Sequence, residues 1–255
     1  MDKRLSGTVA IITGASSGIG AATAQALAAQ GSTVVALARR KDRLDELVQT
    51  ITTAGGNAIA IEADITDPAQ AERAVESVID QFGRLDILIN NAGLMLIGPV
   101  LGADVDEWER MIAINQKGLL YTTHAALPHL LAAADDELRG VADIINISSL
   151  AARKAWANFG VYNMTKYGVN GFTDALRQEV SKSHVRVAVL EPGAVATELE
   201  SHNSQEIQAE LATSAVTERP EPLHPEDIAE NIVFMVTRPR RSFVAELWAM
   251  PTSQV

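Results

Sequence analysis

The stretch Thr13-Gly14-Ala15-Ser16-Ser17-Gly18-Ile19-Gly20 decides the fold, because it joins a short apolar run, Val9–Thr13, to an alanine-rich helical pattern, Ala21–Gln30. Glycines between a strand and a helix let the backbone turn sharply and approach a pyrophosphate, while the helix directs its free N–H groups at the phosphates. The glycine spacing is G-x-x-x-G-x-G rather than the commoner G-x-G-x-x-G. The strand, loop and helix together favour a dinucleotide-binding site over an ordinary turn.

The same alternation of apolar runs and helical patterns continues along the chain. The strands predicted after the first are Thr33–Ala38, Ala58–Glu62, Leu85–Ile89, Asp143–Ser148, Arg186–Leu190 and Phe243–Ala249. The helices predicted after the first are Lys41–Thr53, Pro68–Phe82, Trp108–Leu131, Tyr162–Lys182 and Pro225–Val236. Strands rich in valine and isoleucine, each followed by a helix, indicate an α/β fold with a mostly parallel sheet covered on both faces. No linker divides the pattern, so we expect a single domain over residues 1–255.

Composition and charge exclude several classes of protein. The 255 residues carry a net charge of −11, which disfavours nucleic acid and anionic membranes as partners. No window approaches the apolar length of a membrane span, and the N-terminus lacks an apolar signal core. The chain has no cysteine, which excludes disulfides and thiolate metal ligands, and its histidines form no ligand pattern. We therefore expect no metal site and a cytoplasmic protein.

Residues after the second, third and fourth strands are candidates for contacting a dinucleotide. An acidic residue at the end of the second strand would accept from a ribose 2′-hydroxyl, but this chain has Arg39 and Arg40 there. Guanidinium groups are suited to a 2′-phosphate, which favours NADP over NAD, unless the arginines only begin an exposed helix. Asp64 is positioned to accept from an adenine amino group, and Asn90–Gly93 follows the fourth strand at the ligand-binding edge.

One tyrosine of the three has a lysine four residues later, namely Tyr162 with Lys166. On a helix these side chains share a face, and an ammonium beside a phenol is expected to lower the phenol pKa toward neutrality. Tyr162 is therefore the candidate general acid/base. Ser149, at the end of the fifth strand, is the candidate for polarising a substrate carbonyl. Its neighbour Ser148 points to the opposite face of the strand, so only one of the two serines is expected to reach the site.

Asn115 is an isolated polar residue in the apolar part of the long helix that we predict over Trp108–Leu131. Two interpretations stay open. Its amide either bonds to a main-chain group in the core or has a catalytic role.

Taken together, six motifs resemble the short-chain dehydrogenase/reductase family over nearly the whole chain. They are Thr13–Gly20, Asn90–Gly93, Asn115, Ser149, Tyr162-x-x-x-Lys166 and Pro192-Gly193. The resemblance implies a Rossmann-type doubly wound parallel sheet and hydride transfer between a nicotinamide and a carbonyl or alcohol. It implies that Tyr162 exchanges the proton, that Lys166 binds the nicotinamide ribose, that Ser149 orients the carbonyl and that Asn115 holds a water in a proton relay.

The resemblance also implies a set of cofactor contacts along the cleft. The residues expected to touch NADP are Gly14, Ser16, Ser17, Gly18, Ile19, Gly20, Arg39, Arg40, Asp64, Ile65, Asn91, Ala92, Gly93, Tyr162, Lys166, Pro192, Gly193, Val195 and Thr197. The segments Ala38–Arg40 and Leu94–Pro99 and the C-terminal tail are similar to a narrower subgroup, the NADP-dependent reductases related to clavulanate dehydrogenase. Substrate does not follow from that similarity.

The substrate is expected to be a small carbonyl or alcohol compound with an apolar or modestly polar body. The candidate pocket residues are Met95, Leu150, Trp156 and Phe159. The acidic segment at about 194–222 is long for a loop and contains a helical pattern, which is typical of a lid over a substrate. The family resemblance suggests a homotetramer or homodimer.

Three functions are consistent with these residues. The intact Tyr162–Lys166 pair with Arg39 and Arg40 favours an NADP-dependent carbonyl reductase. An NAD-dependent alcohol or sugar dehydrogenase would require Arg39 to be a bystander. A non-catalytic NADP-binding regulator would be favoured by a broken tyrosine–lysine pair, and this pair is unbroken.

Overall fold

A seven-stranded sheet forms the centre of the computed structural model, which describes residues 3–214 and 221–254. The strands are β1 (Val9–Thr13), β2 (Thr33–Ala38), β3 (Asn57–Glu62), β4 (Ile87–Asn90), β5 (Ala142–Ile147), β6 (Val185–Pro192) and β7 (Glu246–Ala249). Their order is β3-β2-β1-β4-β5-β6-β7, and every neighbouring pair is parallel. The chain reverses direction of winding between β3 and β4, which leaves a crevice beyond the carboxyl ends of β1 and β4. The doubly wound parallel fold predicted from the sequence is confirmed.

Helices cover both faces of this sheet. They are α1 (Gly18–Ala29), α2 (Lys41–Thr53), α3 (Pro68–Phe82), α4 (Val105–Ile112), α5 (Leu119–Asp135), α6 (Gly160–Val180), α7 (Gln205–Ser214) and α8 (Pro225–Val236). The side chains of one face pack with α1, α2 and α8 through residues such as Leu27, Leu44 and Ile232. The opposite face packs with α3, α5 and α6 through Val78, Leu130 and others. Each such aliphatic side chain contributes about 2 kcal/mol when it is fully buried.

The sequence predicts α2, α3 and α8 to the residue, because local signals set their ends. In α3, Pro68 occupies the first turn, the carboxylate of Asp67 accepts from the backbone N–H groups of Ala69 and Gln70, and Gly83 ends the helix with φ +72°. These are the proline start and the left-handed glycine stop that helices favour. The fourth strand is shifted by two residues at its start from the predicted Leu85–Ile89, and the last strand begins only at Glu246.

The continuous helix predicted over Trp108–Leu131 is wrong in one respect. Between α4 and α5 the backbone forms a π-helical turn over Ala113–Gly118. This turn includes Asn115, whose side chain bonds to the backbone of Leu94 on the neighbouring loop. Turns of this kind inside helices are frequent at functional sites, and period alone does not reveal them.

The segment at 194–222 is described for residues 194–214 and 221–222, and residues 215–220 lie outside the described part of the chain. It contains a short 3₁₀ helix, Glu198–His202, followed by α7. Within residues 3–214 and 221–254, the helices are too short or too polar to cross a bilayer.

Candidate active site

A cleft of about 1030 Å³ opens beyond the carboxyl ends of the strands, at the point where the winding reverses. The glycine loop after β1 and the arginines after β2 line one end. Residues from the loop after β5, from α6 and from the segment after β6 line the other end. Parallel sheets of this order bind ligands at this place.

The glycine loop takes its shape from positions where a side chain does not fit. Gly14 has φ +66°, and a Cβ atom there would lie 2.7 Å from the Cα atom of Ala92. Gly18 has φ +53°. A Cβ atom on Gly20 would lie 2.5 Å from the Gly14 carbonyl oxygen, so Gly20 lets α1 pack tightly on the loop. The spacing identified in the sequence therefore has two roles, which are turning the chain and bringing the helix close.

The N-terminus of α1 is suited to an anion. Its N-cap residue, Ser17, makes no side-chain capping bond, and the first turn carries no acidic residue. The N-terminus of α3, in contrast, is capped by the carboxylate of Asp67. Uncapped N–H groups at the positive end of a helix dipole favour a phosphate. The loop and helix therefore fit the pyrophosphate of a dinucleotide.

Arg40 spans the mouth of the cleft at this end. Its Nε and Nη2 atoms donate to the Ser16 hydroxyl at 3.1 and 3.0 Å, and Nη2 also donates to the Ser17 hydroxyl at 2.8 Å. Its Nη1 atom lies 3.0 Å from a carboxylate oxygen of Glu198. Arg39 lines the cleft beside it and is exposed. Both arginines predicted for the cofactor therefore face the cleft.

The residues that follow β3 and β4 form the floor of this half. One carboxylate oxygen of Asp64 accepts from the backbone N–H and the hydroxyl of Thr66, so it stabilises a turn while Asp64 lines the cleft. The Asn91 amide donates to the backbone carbonyl of Thr13 at 2.9 Å. The hydroxyl of Thr13, for which the sequence motif predicts no bonding role, accepts from the backbone N–H groups of Asn91 and Ala92.

Tyr162 and Ser149 meet at the other end of the cleft. The Tyr162 side chain is 5% exposed, and its phenol is hydrogen-bonded to the side chain of Ser149. The Ser149 hydroxyl oxygen also accepts from the backbone N–H of Ala151 at 3.1 Å, which fixes its position and leaves its proton free to be donated. The amide of Asn163, the residue after Tyr162, donates to the Ala151 carbonyl at 2.6 Å and so holds this loop against α6.

Lys166 extends along the same face of α6. Its side chain is 5% exposed, and its ammonium donates to the Ile147 carbonyl at 3.0 Å. The ammonium lies 5.8 Å from the centre of the Tyr162 ring. Ser148 also borders the cleft, but its hydroxyl points to the Lys166 carbonyl, 3.4 Å away. Of the two serines, Ser149 is the one that bonds to Tyr162.

The expected lowering of the Tyr162 pKa is wrong for the protein by itself. Burial raises the pKa of Tyr162 to about 12, although the hydrogen bond from Ser149 acts in the opposite direction. Burial likewise lowers the pKa of Lys166 to about 8. Both pKa shifts have the same cause. Burial removes the phenolate of Tyr162 and the ammonium of Lys166 from water, and this loss of hydration outweighs the favourable contacts that the charged forms make in the protein. Tyr162 is therefore a phenol at neutral pH, which is the form that donates a proton.

Asn115 does not line the cleft. Its side chain is 2% exposed, donates to the Leu94 carbonyl at 2.8 Å and to the Thr165 hydroxyl at 3.0 Å, and accepts from the Leu94 N–H at 2.7 Å. These bonds agree with the first of the two interpretations of Asn115, a core amide that bonds to a main-chain group. A water held by this side chain, as the family resemblance implies, would have to use the remaining lone pair of Oδ1. Thr165 in turn donates to the Tyr162 carbonyl, so Asn115 is linked to the backbone of Tyr162.

Nearly all the residues predicted for the site border this one cleft. Those that do are Gly14, Ser16, Ser17, Gly18, Ile19, Arg39, Arg40, Asp64, Ile65, Asn91, Ala92, Gly93, Met95, Ser149, Leu150, Trp156, Phe159, Tyr162, Lys166, Pro192, Gly193, Val195 and Thr197. Gly20 and Asn115 lie behind its wall.

Several residues that also shape the cleft gave no signal in the sequence analysis. Gln254, near the C-terminus, accepts from the Ala194 N–H at 3.0 Å and lines the cleft beside Gly193. Asn203 bonds to the backbone of Met95 and Ile97, which ties the segment after β6 to the loop after β4. Glu198 contacts Arg40 from the same segment. These pairs are far apart in sequence, so no spacing rule could have found them.

The substrate end of the cleft is mostly apolar. The rings of Trp156 and Phe159 meet edge to face at 5.8 Å, and Phe159 and Tyr162 do so at 6.5 Å. Met95 and Leu150 complete this apolar wall next to the Tyr162 ring. The ammonium of Lys154 lies 5.9 Å from the centre of the Trp156 ring, at the rim.

A family model described as short chain dehydrogenase matches residues 8–208. The chain belongs to this family. The match spans the glycine loop, Ser149, the Tyr162–Lys166 pair and Pro192-Gly193, and the chain is an oxidoreductase of the short-chain dehydrogenase fold. The family uses a nicotinamide dinucleotide, which agrees with the uncapped helix and the glycine loop described above.

Individual relatives agree with this family assignment. An uncharacterized oxidoreductase of Staphylococcus saprophyticus is 38% identical over 254 residues, covering 96% of both chains. Glycine betaine reductase ATRR of Emericella nidulans is 35% identical over 98% of this chain, but the chain spans only 19% of that protein's length. A solved structure, the closed form of serine dehydrogenase complexed with NADP+, has 33% identity and a TM-score of 0.86, covering 97% of this chain and 96% of the other.

Proposed function

We propose that this short-chain dehydrogenase is an NADP-dependent reductase that transfers hydride from NADPH to an aldehyde or ketone. The observation that carries the proposal is the buried phenol of Tyr162, hydrogen-bonded to Ser149, at one end of a cleft whose other end holds Arg40. The apolar wall of Met95 and Phe159 favours a carbonyl compound with an apolar or modestly polar body.

A nicotinamide dinucleotide bound in the cleft supplies the hydride. Ser149 donates a hydrogen bond to the substrate carbonyl oxygen and withdraws electron density from its carbon. Tyr162, a phenol at neutral pH, donates its proton to the same oxygen as negative charge develops there. The ammonium of Lys166 would hold the nicotinamide ribose, and its positive charge stabilises the phenolate that remains. Leu150 and Phe159 exclude water from this end, which strengthens each of these interactions.

The residues around Arg40 support NADP rather than NAD. The second strand ends without an acidic side chain of its own, so no carboxylate of this strand repels a 2′-phosphate. Ser16 and Ser17 hold the Arg40 guanidinium over the cleft, where a planar group with several donors suits a phosphate. The serine dehydrogenase relative with NADP+ agrees with this preference.

Cofactor preference is the first test of the proposal. We expect kcat/KM for NADPH to exceed that for NADH at least tenfold with a panel of aldehydes and ketones, measured by loss of nicotinamide absorbance. Arg40→Gln should lower kcat/KM for NADPH about tenfold and leave NADH unchanged, because only the 2′-phosphate needs the guanidinium. Arg73→Gln, on the exposed side of α3, is the matched control and should change neither value.

The other outcomes identify the alternatives. A preference for NADH in the wild-type protein would contradict the proposal and favour an NAD-dependent alcohol or sugar dehydrogenase. Tight NADPH binding without turnover across the panel would favour a non-catalytic NADP-binding regulator.

The pKa values of Tyr162 and Lys166 predict opposite pH profiles for the two directions of reaction. Alcohol oxidation needs the phenolate, and because the pKa of Tyr162 is raised to about 12, kcat/KM should rise about tenfold per pH unit between pH 6 and 8. Above pH 8 the rise should become shallower, because Lys166 loses its charge near its pKa of about 8. Carbonyl reduction uses the phenol and should stay constant between pH 6 and 8. Initial rates at constant ionic strength measure both, and a flat oxidation profile would contradict the assignment of Tyr162.

Further features of the working enzyme belong to the same proposal. We propose that the segment at about 194–222 closes over the substrate, supported by the bonds of Asn203 to the backbone of Met95 and Ile97. A homotetramer or homodimer is supported by exposed apolar side chains on α5 and α6, among them Leu120 and Met164. A reducing compartment such as the cytoplasm is compatible with the lack of cysteine. The similarity to clavulanate dehydrogenase-like reductases supports the cofactor and leaves the substrate open.

A further inference from the structure

The carboxylate of Glu198 forms an ion pair with Arg40, the residue proposed to bind the cofactor 2′-phosphate. Glu198 begins the 3₁₀ helix Glu198–His202, and its carboxylate lies 3.0 Å from Nη1 of Arg40. The Ser17 hydroxyl also hydrogen-bonds to Glu198, and these two contacts hold the pKa of its carboxyl group below the ordinary value. Glu198 therefore carries a full negative charge at the rim of the cleft at neutral pH.

The guanidinium of Arg40 has all three of its nitrogens engaged. Nε and Nη2 donate to Ser16 and Ser17, and Nη1 donates to Glu198. A 2′-phosphate at this point brings about two negative charges to the same guanidinium. Glu198 and the phosphate repel each other, and both need the same donors. The carboxylate therefore cannot keep its present contact with Nη1 of Arg40 when the 2′-phosphate binds there.

We infer that Glu198 is a specificity-determining residue that competes with the cofactor 2′-phosphate for Arg40. NADPH has to displace the carboxylate from the guanidinium, whereas NADH, which lacks the 2′-phosphate, does not. The inference rests on the proposed preference for NADP. It adds that NADPH binding must supply the free energy to break the ion pair between Arg40 and Glu198, which comes from the far side of the cleft.

The position of Glu198 connects this competition to the substrate end. Thr197, the preceding residue, caps the 3₁₀ helix and lies where a side chain on Gly18 would meet it, 3.1 Å from an added Cβ atom. The 3₁₀ helix leads directly to Asn203, which bonds to the loop after β4. The contact of Glu198 with Arg40 is thus one of the attachments of this segment, and the 2′-phosphate would release it.

Binding of cofactor fragments to the full chain tests the inference without turnover. The probes are 2′,5′-ADP, which has the 2′-phosphate, and 5′-AMP, which lacks it, both titrated by calorimetry. Glu198→Gln should bind 2′,5′-ADP about five- to tenfold more tightly than the wild type, which is about 1.0–1.4 kcal/mol. Its affinity for 5′-AMP should stay within twofold. Glu206→Gln removes the same charge from α7 of the same segment and should change neither affinity.

A second variant tests whether Arg40 is the shared partner. In an Arg40→Gln background, the gain from Glu198→Gln should shrink to less than twofold, because no guanidinium is left to release. A full gain in that background would overturn the inference. Unchanged binding of 2′,5′-ADP by Glu198→Gln would also overturn the inference. Weaker binding would overturn it as well, because the carboxylate would then help to close the site over the ligand. Weaker binding of 5′-AMP would overturn it by making Glu198 a ribose ligand.

The two proposals fail in different ways. If wild-type protein binds 2′,5′-ADP no better than 5′-AMP, the NADP preference itself fails and the inference fails with it. If the wild type prefers 2′,5′-ADP and Glu198→Gln changes nothing, only the inference fails. Thermal unfolding of each variant checks that the exposed substitutions leave the fold intact.

Discussion

Replacing Tyr162 by phenylalanine is expected to lower kcat/KM for carbonyl reduction about a thousandfold or more. The phenol is the group that can give a proton to the carbonyl oxygen at neutral pH, and general acids contribute about 10²–10⁴-fold. A thousandfold loss corresponds to about 4 kcal/mol of transition-state stabilisation. The ring and its contacts with Phe159 remain, so we expect NADPH to bind within about threefold of wild type. Initial rates and NADPH fluorescence titration measure the two effects separately.

Tyr167 offers a matched control on the same helix. It lies five residues further along α6, is 47% exposed and is outside the residues that line the cleft. Tyr167→Phe should leave kcat/KM within twofold of wild type. Equal losses in the two variants would indicate general damage to α6, and an active Tyr162→Phe would remove Tyr162 from the mechanism.

Replacing Arg153 by alanine is expected to lower the free energy of unfolding by several kcal/mol. Glu191 is fully buried at the end of β6, and Arg153 donates to its two carboxylate oxygens at 2.8 and 3.1 Å. Asn170 adds a third bond at 2.7 Å. Without Arg153, Asn170 is the one hydrogen-bond partner left to the carboxylate among residues 3–214 and 221–254, and an uncompensated buried charge costs about 3–5 kcal/mol. For a chain of this size the melting temperature should fall by about 10 °C, measured by calorimetry.

Two variants separate the effect of leaving the buried Glu191 carboxylate without its partner from the effect of losing the Arg153 side chain. Arg153→Ala combined with Glu191→Gln removes the buried charge and should recover at least half of the lost stability. Lys154→Ala, at the next exposed position, should change the free energy of unfolding by less than about 0.5 kcal/mol. If Arg153→Ala is as stable as Lys154→Ala, the ion pair with Glu191 does not hold this part of the fold together.

The location of Arg153 explains why this ion pair matters for the site. Arg153 directly follows the 3₁₀ turn that begins after Ser149, and Glu191 precedes Pro192 and Gly193 in the cleft wall. Arg153 also pairs with Glu246 and lies over the Trp248 ring, at 5.2 Å, on β7. The pair therefore fixes the loop that carries Ser149 relative to the wall of the cleft that follows β6.

Local features of the sequence were enough for the fold and for most of the cleft. Continuous apolar runs gave β1 and β2 to the residue, because strands buried on both faces need no polar alternation. Each strand ends at the same edge of a parallel sheet, so residues that follow a strand necessarily gather in one place. This is why Arg40 and Ser149, far apart in the chain, could be assigned to one cleft, whereas Tyr162 was assigned from its spacing to Lys166 and from the family resemblance.

Features that depend on contacts between distant parts of the chain could not be predicted from the sequence. The π-helical turn at Asn115 arises where its side chain bonds to Leu94, which a helical period cannot indicate. The raised pKa of Tyr162 reflects burial by residues from several loops, whereas the spacing to Lys166 suggested a lowered one. The contact of Glu198 with Arg40 joins segments 158 residues apart, and only the folded chain brings them together.

The most direct test of the proposed carbonyl reduction is to follow the hydride itself. Wild-type protein is incubated with NADPH that carries deuterium at both positions of nicotinamide C4 and with a panel of aldehydes and ketones, and the products are analysed by mass spectrometry. We predict an alcohol that carries deuterium on the former carbonyl carbon, formed by the wild type and by Tyr167→Phe, and reduced about a thousandfold with Tyr162→Phe. Deuterated alcohol formed at the wild-type rate by Tyr162→Phe, or no labelled alcohol from any carbonyl compound of the panel, would contradict the account.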